Sequence, residues 1–144
     1  MLLGLPALAA CGFTPVYGPN SLRGRVEVRT PATVAGYRLG TTLIERFGPA
    51  EVADYQLSVT LDEETTTAAQ TIDGDSTRFD LNGTAGWTLT KAGAAIASGT
   101  AQTFTSYSAT GSTIATQTAE RDARERLSVA LADIIIANVT LSVR

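Results

Sequence analysis

Histidine is absent from the 144 residues of this chain, and cysteine and lysine occur once each, as Cys11 and Lys91. Without histidine there is no Ser-His-Asp or Cys-His machinery and no imidazole metal site. A single cysteine excludes an internal disulfide and a thiolate cluster. Eleven basic residues are scattered among fourteen acidic ones for a net charge of −3, which is not the footprint of a nucleic-acid binder. No stretch approaches the roughly 20 apolar residues needed to cross a bilayer as a helix, so the body is expected to be soluble. The inventory leans away from enzymes, and no catalytic set can be named.

What the chain does have is 44% hydrophobic and 17% charged residues, enough apolar surface for one domain with a normal core. Threonine is abundant and Gly, Ala and Ser are common. That bias suits strands with polar faces better than a helical bundle.

The lone thiol raises the first functional question. Met1–Ala10 is an apolar run ending in small residues, the pattern of an export signal. It lacks the basic leading segment of such a signal, so the true start is expected further upstream. Leu8, Ala9, Ala10 and Cys11 match the bacterial lipobox, aliphatic-small-small-Cys. There diacylglycerol is attached to the sulfur, the chain is cut before the cysteine, and the new amino terminus is acylated. Several acyl chains, at about 0.8 kcal/mol per buried CH2, hold a soluble domain on a membrane durably. The competing readings are an ordinary buried cysteine and a catalytic thiol, and the second lacks a base to activate it.

Downstream, residues 11–24 carry Pro15, Gly18, Pro19 and Asn20 and read as a tether. Arg25–Arg29 alternates as a short strand. Thr30-Pro31 supplies a cap and first-turn proline for a helix with Leu39, Leu43, Ile44 and Phe47 on one face, ended by Gly48-Pro49. Gly36 and Gly40 weaken that helix unless something packs closely on them. Tyr55–Asp62 alternates apolar with polar, as does Phe79–Leu89 through Gly83, where a bulge or close approach is expected. Glu63–Thr77, polar and long, reads as a projecting loop. A turn at Lys91–Ala94 leads to a strand over 95–107.

From about Thr116 the period becomes helical, with Ala119, Ala123, Leu127, Ala130, Leu131 and Ile134 as one stripe. Glu120–Arg124, Arg121–Glu125 and Asp122–Arg126 form i, i+4 pairs that solvate the helix exterior. Ile134-Ile135-Ile136 leaves the helix end open. The order β-α-β-β-β-α predicts a two-layer α+β domain over 25–144: two helices packed on one face of a four-stranded mixed sheet, its first two strands parallel. Asp62-Glu63-Glu64 is a candidate cation site. Asp73-Gly74-Asp75 resembles a fragment of a calcium loop, but the closing Glu is missing, and a solvated turn is the default. Asn82-Gly83-Thr84 and Asn138-Val139-Thr140 match the glycosylation pattern but carry little weight in a bacterial lipoprotein.

Cys11-Gly12-Phe13-Thr14-Pro15-Val16-Tyr17-Gly18 resembles the mature amino terminus of the LptE family of lipopolysaccharide-assembly lipoproteins, in its α-proteobacterial form. Thr113–Ala123, followed by Arg126-Leu127, is similar to the start of that family's last helix. The resemblance implies a lipid-anchored protein of the cell outer membrane, facing the periplasm. It implies a place inside the LptD β-barrel, where the protein plugs the barrel, aids its assembly and assists lipopolysaccharide delivery to the surface. No enzyme activity and no cofactor beyond the acyl chains on Cys11 are implied. In the family, basic side chains near the loop between the second and third strands meet lipopolysaccharide. Here that tip is acidic, Thr71-Ile72-Asp73-Gly74-Asp75, so Arg78 and Lys91 are the candidate contacts, or else edge charges that discourage aggregation. The alternative is a periplasmic lipid-binding lipoprotein serving an inner-membrane lipid transporter, which requires an apolar pocket.

Overall fold

The computed structural model describes residues 21–143. Six elements follow in the order β1 (Val26–Arg29), α1 (Val34–Phe47), β2 (Tyr55–Gln70), β3 (Ser76–Lys91), β4 (Ala94–Ser108) and α2 (Thr113–Ser142). The strands form one sheet ordered β1-β2-β3-β4, with β1 parallel to β2 and the other pairs antiparallel. The two helices lie on one face, giving the two-layer α+β arrangement expected from the sequence.

Local chemistry sets the element ends. Thr33, not Thr30, caps α1: its side chain accepts the Gly36 N–H at 3.0 Å. Thr30 instead packs on the helix, because an ideal Cβ at Gly40 would lie 2.7 Å from its Oγ1. That contact explains the glycine. Gly48, at φ 79°, ends the helix. The β3–β4 connection is a two-residue turn with both Ala92 (φ 50°) and Gly93 (φ 80°) in the left-handed region, the geometry that matches strand twist in a tight hairpin.

The largest departure from expectation is Glu63–Thr77. Instead of a loop, β2 runs on to Gln70 and β3 begins at Ser76, leaving only Thr71–Asp75 as turn. The outer part of this hairpin is exposed on both faces from Glu64 to Asp75 on the β2 side, so no apolar alternation marks it. Its β character comes from Thr65-Thr66-Thr67 and cross-strand pairing. The register shifts twice near the tip, between Thr67 and Ala69 and again between Ala69 and Gln70.

The core is formed by alternate strand residues, among them Val26, Leu57, Val59, Leu81, Trp87, Leu89 and Ala101, against Leu39, Leu43 and Phe47 of α1 and Leu127, Leu131, Ile135 and Val139 of α2. Leu22, ahead of β1, is buried with them. α2 begins three residues before Thr116 and continues unbroken through Ile134-Ile135-Ile136. Its deepest stripe is Ala123, Leu127, Leu131, Ile135 and Val139. Ala119, Ala130 and Ile134, expected in the stripe, are only half-buried.

Gly83 settles how α2 sits. There is no bulge: Glu63, Gly83 and Thr103 stand in one continuous row. A Cβ at Gly83 would lie 2.9 Å from Leu131 Cδ1 and 3.1 Å from Leu127 Cδ2. The helix therefore rests on bare strand backbone. Replacing Gly83 with valine is expected to lower unfolding free energy by about 1–3 kcal/mol through overpacking. Thr84→Val, on the opposite and exposed face, should stay within about 0.5 kcal/mol of the parent. Urea denaturation followed by circular dichroism measures both, and equal stabilities would remove the close approach as a constraint.

Candidate interaction surface

Of the residues singled out from sequence, Cys11, Leu8, Ala9 and Ala10 lie outside the described residues. Arg78 and Lys91 lie near the two ends of β3. Thirteen strand steps separate them, about 43 Å at about 3.3 Å per residue, so they do not form one site. Arg78 is exposed, beside Ala69 and Ser108 near the hairpin tip. Lys91 is held at the other end, with Nζ 3.5 Å from the Tyr55 hydroxyl and 5.1 Å from its ring centre. Arg25 sits 5.7 Å from the same ring and bonds Asp54 at 2.6 Å. Two cations thus share one aromatic ring.

The sheet face away from the helices is uncovered among the described residues. Its rows read Ser58, Thr88, Ser98, then Thr60, Gly86, Thr100, then Asp62, Thr84, Gln102. Gly86 is the low point: with no side chain there, a shallow open depression forms among the surrounding hydroxyls. Thr60 closes on it, its hydroxyl donating to the Gly86 carbonyl at 3.3 Å. A second open depression involves Pro31, Val34 and Tyr37 beside the start of α1. Neither is lined by an ionisable pair.

The covered face holds a feature the sequence reading missed. Arg124 bonds Glu120 at 2.8 Å on its own helix and reaches Glu63 of β2 at 2.9 Å. Glu63 is 10% exposed, and its Oε1 has no partner among the described residues. The hydrogen bond that Arg124 donates to Glu120 is the main reason its guanidinium is held above its usual range, with partial burial opposing it. Tyr107, stacked on Phe79 with ring centres 5.4 Å apart, is pushed up chiefly by burial and then by the Glu120 charge. Asp122–Arg126 forms as expected at 2.9 Å. Glu120–Arg124 is not the solvated exterior pair expected but half of a three-residue clamp between α2 and β2. The signal available was phase, since Glu63 falls on the inward side of the Tyr55–Leu61 alternation. Asp73 and Asp75 lie in the exposed tip, and among the described residues no group of three or more metal-ligating side chains gathers.

Comparison with known proteins places this geometry. Structures similar in fold include a candidate lipoprotein from Caulobacter crescentus CB15 (TM-score 0.69, 23% identity, 85% of this chain and 91% of that one). Others are the rare lipoprotein B of Shewanella oneidensis (0.64, 11%, 82% and 95%) and a minor lipoprotein of Acinetobacter baumannii (0.57, 17%, 78% and 87%). A search of curated protein sequences gave no significant match. The profile of the lipopolysaccharide-assembly family LptE matches residues 22–139, from the buried Leu22 to the last core residue of α2, and the chain belongs to that family.

Proposed function

We propose that this chain is an outer-membrane lipoprotein, anchored through acyl chains on Cys11, that sits within an LptD-like β-barrel as its plug. In that place it assists barrel assembly and lipopolysaccharide delivery to the cell surface. The observation that carries the reading is the family match over residues 22–139, and three physical features support it. The middle of the uncovered sheet face presents hydroxyls, an amide and bare glycine backbone, chemistry suited to the polar lumen of a large barrel. The module is long: β2 and β3 have 16 residues each, on the order of 50 Å. The polypeptide enters β1 at the end where Gly24 bonds Phe47 and Glu51, opposite the hairpin tip, so an anchor and the tip would occupy opposite ends.

Arg78, exposed near the tip, is a better lipopolysaccharide contact than Lys91, which Tyr55 already engages. No catalytic role is assigned. A lipid-binding accessory of an inner-membrane transporter requires an enclosed apolar pocket, and the two depressions described are open, one of them lined mainly by hydroxyls and glycine.

Affinity isolation of the full-length chain from detergent-solubilised membranes is expected to recover a β-barrel protein at near one-to-one ratio. Recovery of the chain with no barrel overturns the plug assignment. The anchor has a separate readout: metabolic labelling with a fatty acid should mark the parent protein and leave Cys11→Ala unlabelled, whereas continued labelling of the variant removes Cys11 as the acylation site.

A further inference from the structure

One large aromatic ring stands on the uncovered face of the sheet. Odd-numbered residues of β4 turn towards the helices, since the Thr105 hydroxyl donates to the Ala123 carbonyl of α2. Phe104 therefore points the other way, and it is 63% exposed. It shares a row with Asn82 and Glu64. The adjoining rows are Ser106, Asp80, Thr66 on one side and Gln102, Thr84, Asp62 on the other. Every neighbour of the ring on that face is polar.

One of those neighbours is a carboxylate held in place. Ser106 donates to Asp80 Oδ1 at 2.7 Å, which draws the carboxylate from β3 across towards β4. Ser106 lies two residues from Phe104 on the same strand face, about 7 Å away. The second Asp80 oxygen makes no hydrogen bond to a side chain among the described residues. Asn82, between Phe104 and Glu64, is turned by its bond to Thr66 at 3.3 Å, away from the ring. The ring face and the free carboxylate oxygen are thus left open side by side.

Charge is uneven along the molecule in the same sense. Residues 59–80 and 113–126, towards the tip, hold nine carboxylates and four arginines, whereas the other described residues hold five carboxylates and six cations. An anionic group approaching Phe104 is opposed by this field, and a cationic one is drawn in. A lone ring among polar groups is too small a patch for a lipid chain. No group of three or more metal-ligating side chains gathers among the described residues. A flat ring beside a fixed carboxylate suits a guanidinium, which stacks on the ring and donates paired N–H groups to the carboxylate.

We propose that Phe104 and Asp80 form a docking site for an arginine side chain of a protein partner, with Glu64 and Asp62 supplying the attracting field. The site is open and flat, so the cation is delivered by a larger surface that also meets the hydroxyl rows of the same face. The inference deepens the barrel reading and rests on it for where the partner lies: an arginine projecting from the lumen wall is what this row meets. The binding chemistry itself belongs to the chain alone and is tested without a barrel.

The first test titrates the purified, nitrogen-15-labelled full-length chain with a blocked tri-arginine peptide and follows the amide resonances. Saturable shifts are expected at Asp80, Asn82, Phe104 and Ser106, and tri-lysine should bind at least about twofold more weakly because an ammonium does not stack or fork. Asp80→Asn, whose amide oxygen still accepts from Ser106, should weaken tri-arginine at least about fivefold, and Phe104→Ala at least about threefold. Asp73→Asn with Asp75→Asn removes twice the charge from the exposed turn and should change affinity less than about twofold. No saturable shift around Phe104 in the folded parent, equal binding of tri-lysine, or an equal loss in the turn double variant overturns the site. The second test repeats the affinity isolation from membranes with full-length Asp80→Arg, folded by far-UV circular dichroism. Barrel recovery should fall at least about fivefold against the parent, because a guanidinium now faces its like. Undiminished recovery overturns the placement of the site against the barrel. A parent chain that recovers no barrel removes the plug reading instead, and the peptide titration then decides the site by itself.

Discussion

The seating of α2 on the naked backbone of Gly83 is the contact on which the rest of the molecule turns. Because no Cβ stands there, Leu127 and Leu131 can descend onto β3, and a 30-residue helix covers β3 and β4. That placement leaves room for α1 over β1 and β2. It brings Thr105 under the Ala123 carbonyl and lets Arg124 reach across to Glu63. The clamp in turn fixes the sheet where it begins to leave the helical layer. A side chain at position 83 would lift the helix and weaken every one of these contacts together, since close-packed interiors pass displacement on rather than absorb it.

Much of this arrangement was legible because half-buried strands write their burial into the sequence. Tyr55–Asp62 and Phe79–Leu89 alternate cleanly, and both are strands with the apolar residues inside. Where burial stops, so does the record. The outer hairpin is exposed on both faces, its sequence looks like a loop, and only long-range pairing makes it sheet. The α2 stripe failed differently. Residues four apart advance about 40° around a helix, so Ala123, Leu127, Leu131, Ile135 and Val139 spiral as the helix follows the twisted sheet. A fixed-face reading chose Ile134 and lost the drift. The Arg124–Glu63 bond joins residues 61 positions apart, and its two halves carry separate local explanations, a helix pair and an acidic run. Arg78 and Lys91, the two candidate contacts, stand near opposite ends of β3, a separation that residue type alone does not give.

A sheet covered on one face leaves two kinds of surface, and the sequence treats them differently. The uncovered face is hydroxyl-rich and nearly neutral at its centre, with charge moved to Asp62, Glu64, Arg78 and Asp80 towards the tip. Asp80 is held by Ser106 at 2.7 Å. Threonine suits this role twice over, because its β-branch favours the strand and its hydroxyl keeps the face wet. A face built this way resists apolar aggregation while offering many weak hydrogen-bonding groups.

Stability is also distributed unevenly along the long axis. At the base, β1 to β4 and both helices meet over Leu57, Leu89, Leu39 and Leu43, all fully buried. Towards the tip, Leu81 is the last fully buried strand residue. Beyond it the rows Thr67, Phe79, Tyr107 depend on one aromatic stack and on hydrogen bonds open to water. Segments with few buried contacts open locally at lower free energy than the core. The hairpin is thus rigid where the clamp grips it and free to adapt where it projects. That gradient puts conformational freedom at the projecting tip and order at the end where the chain enters β1.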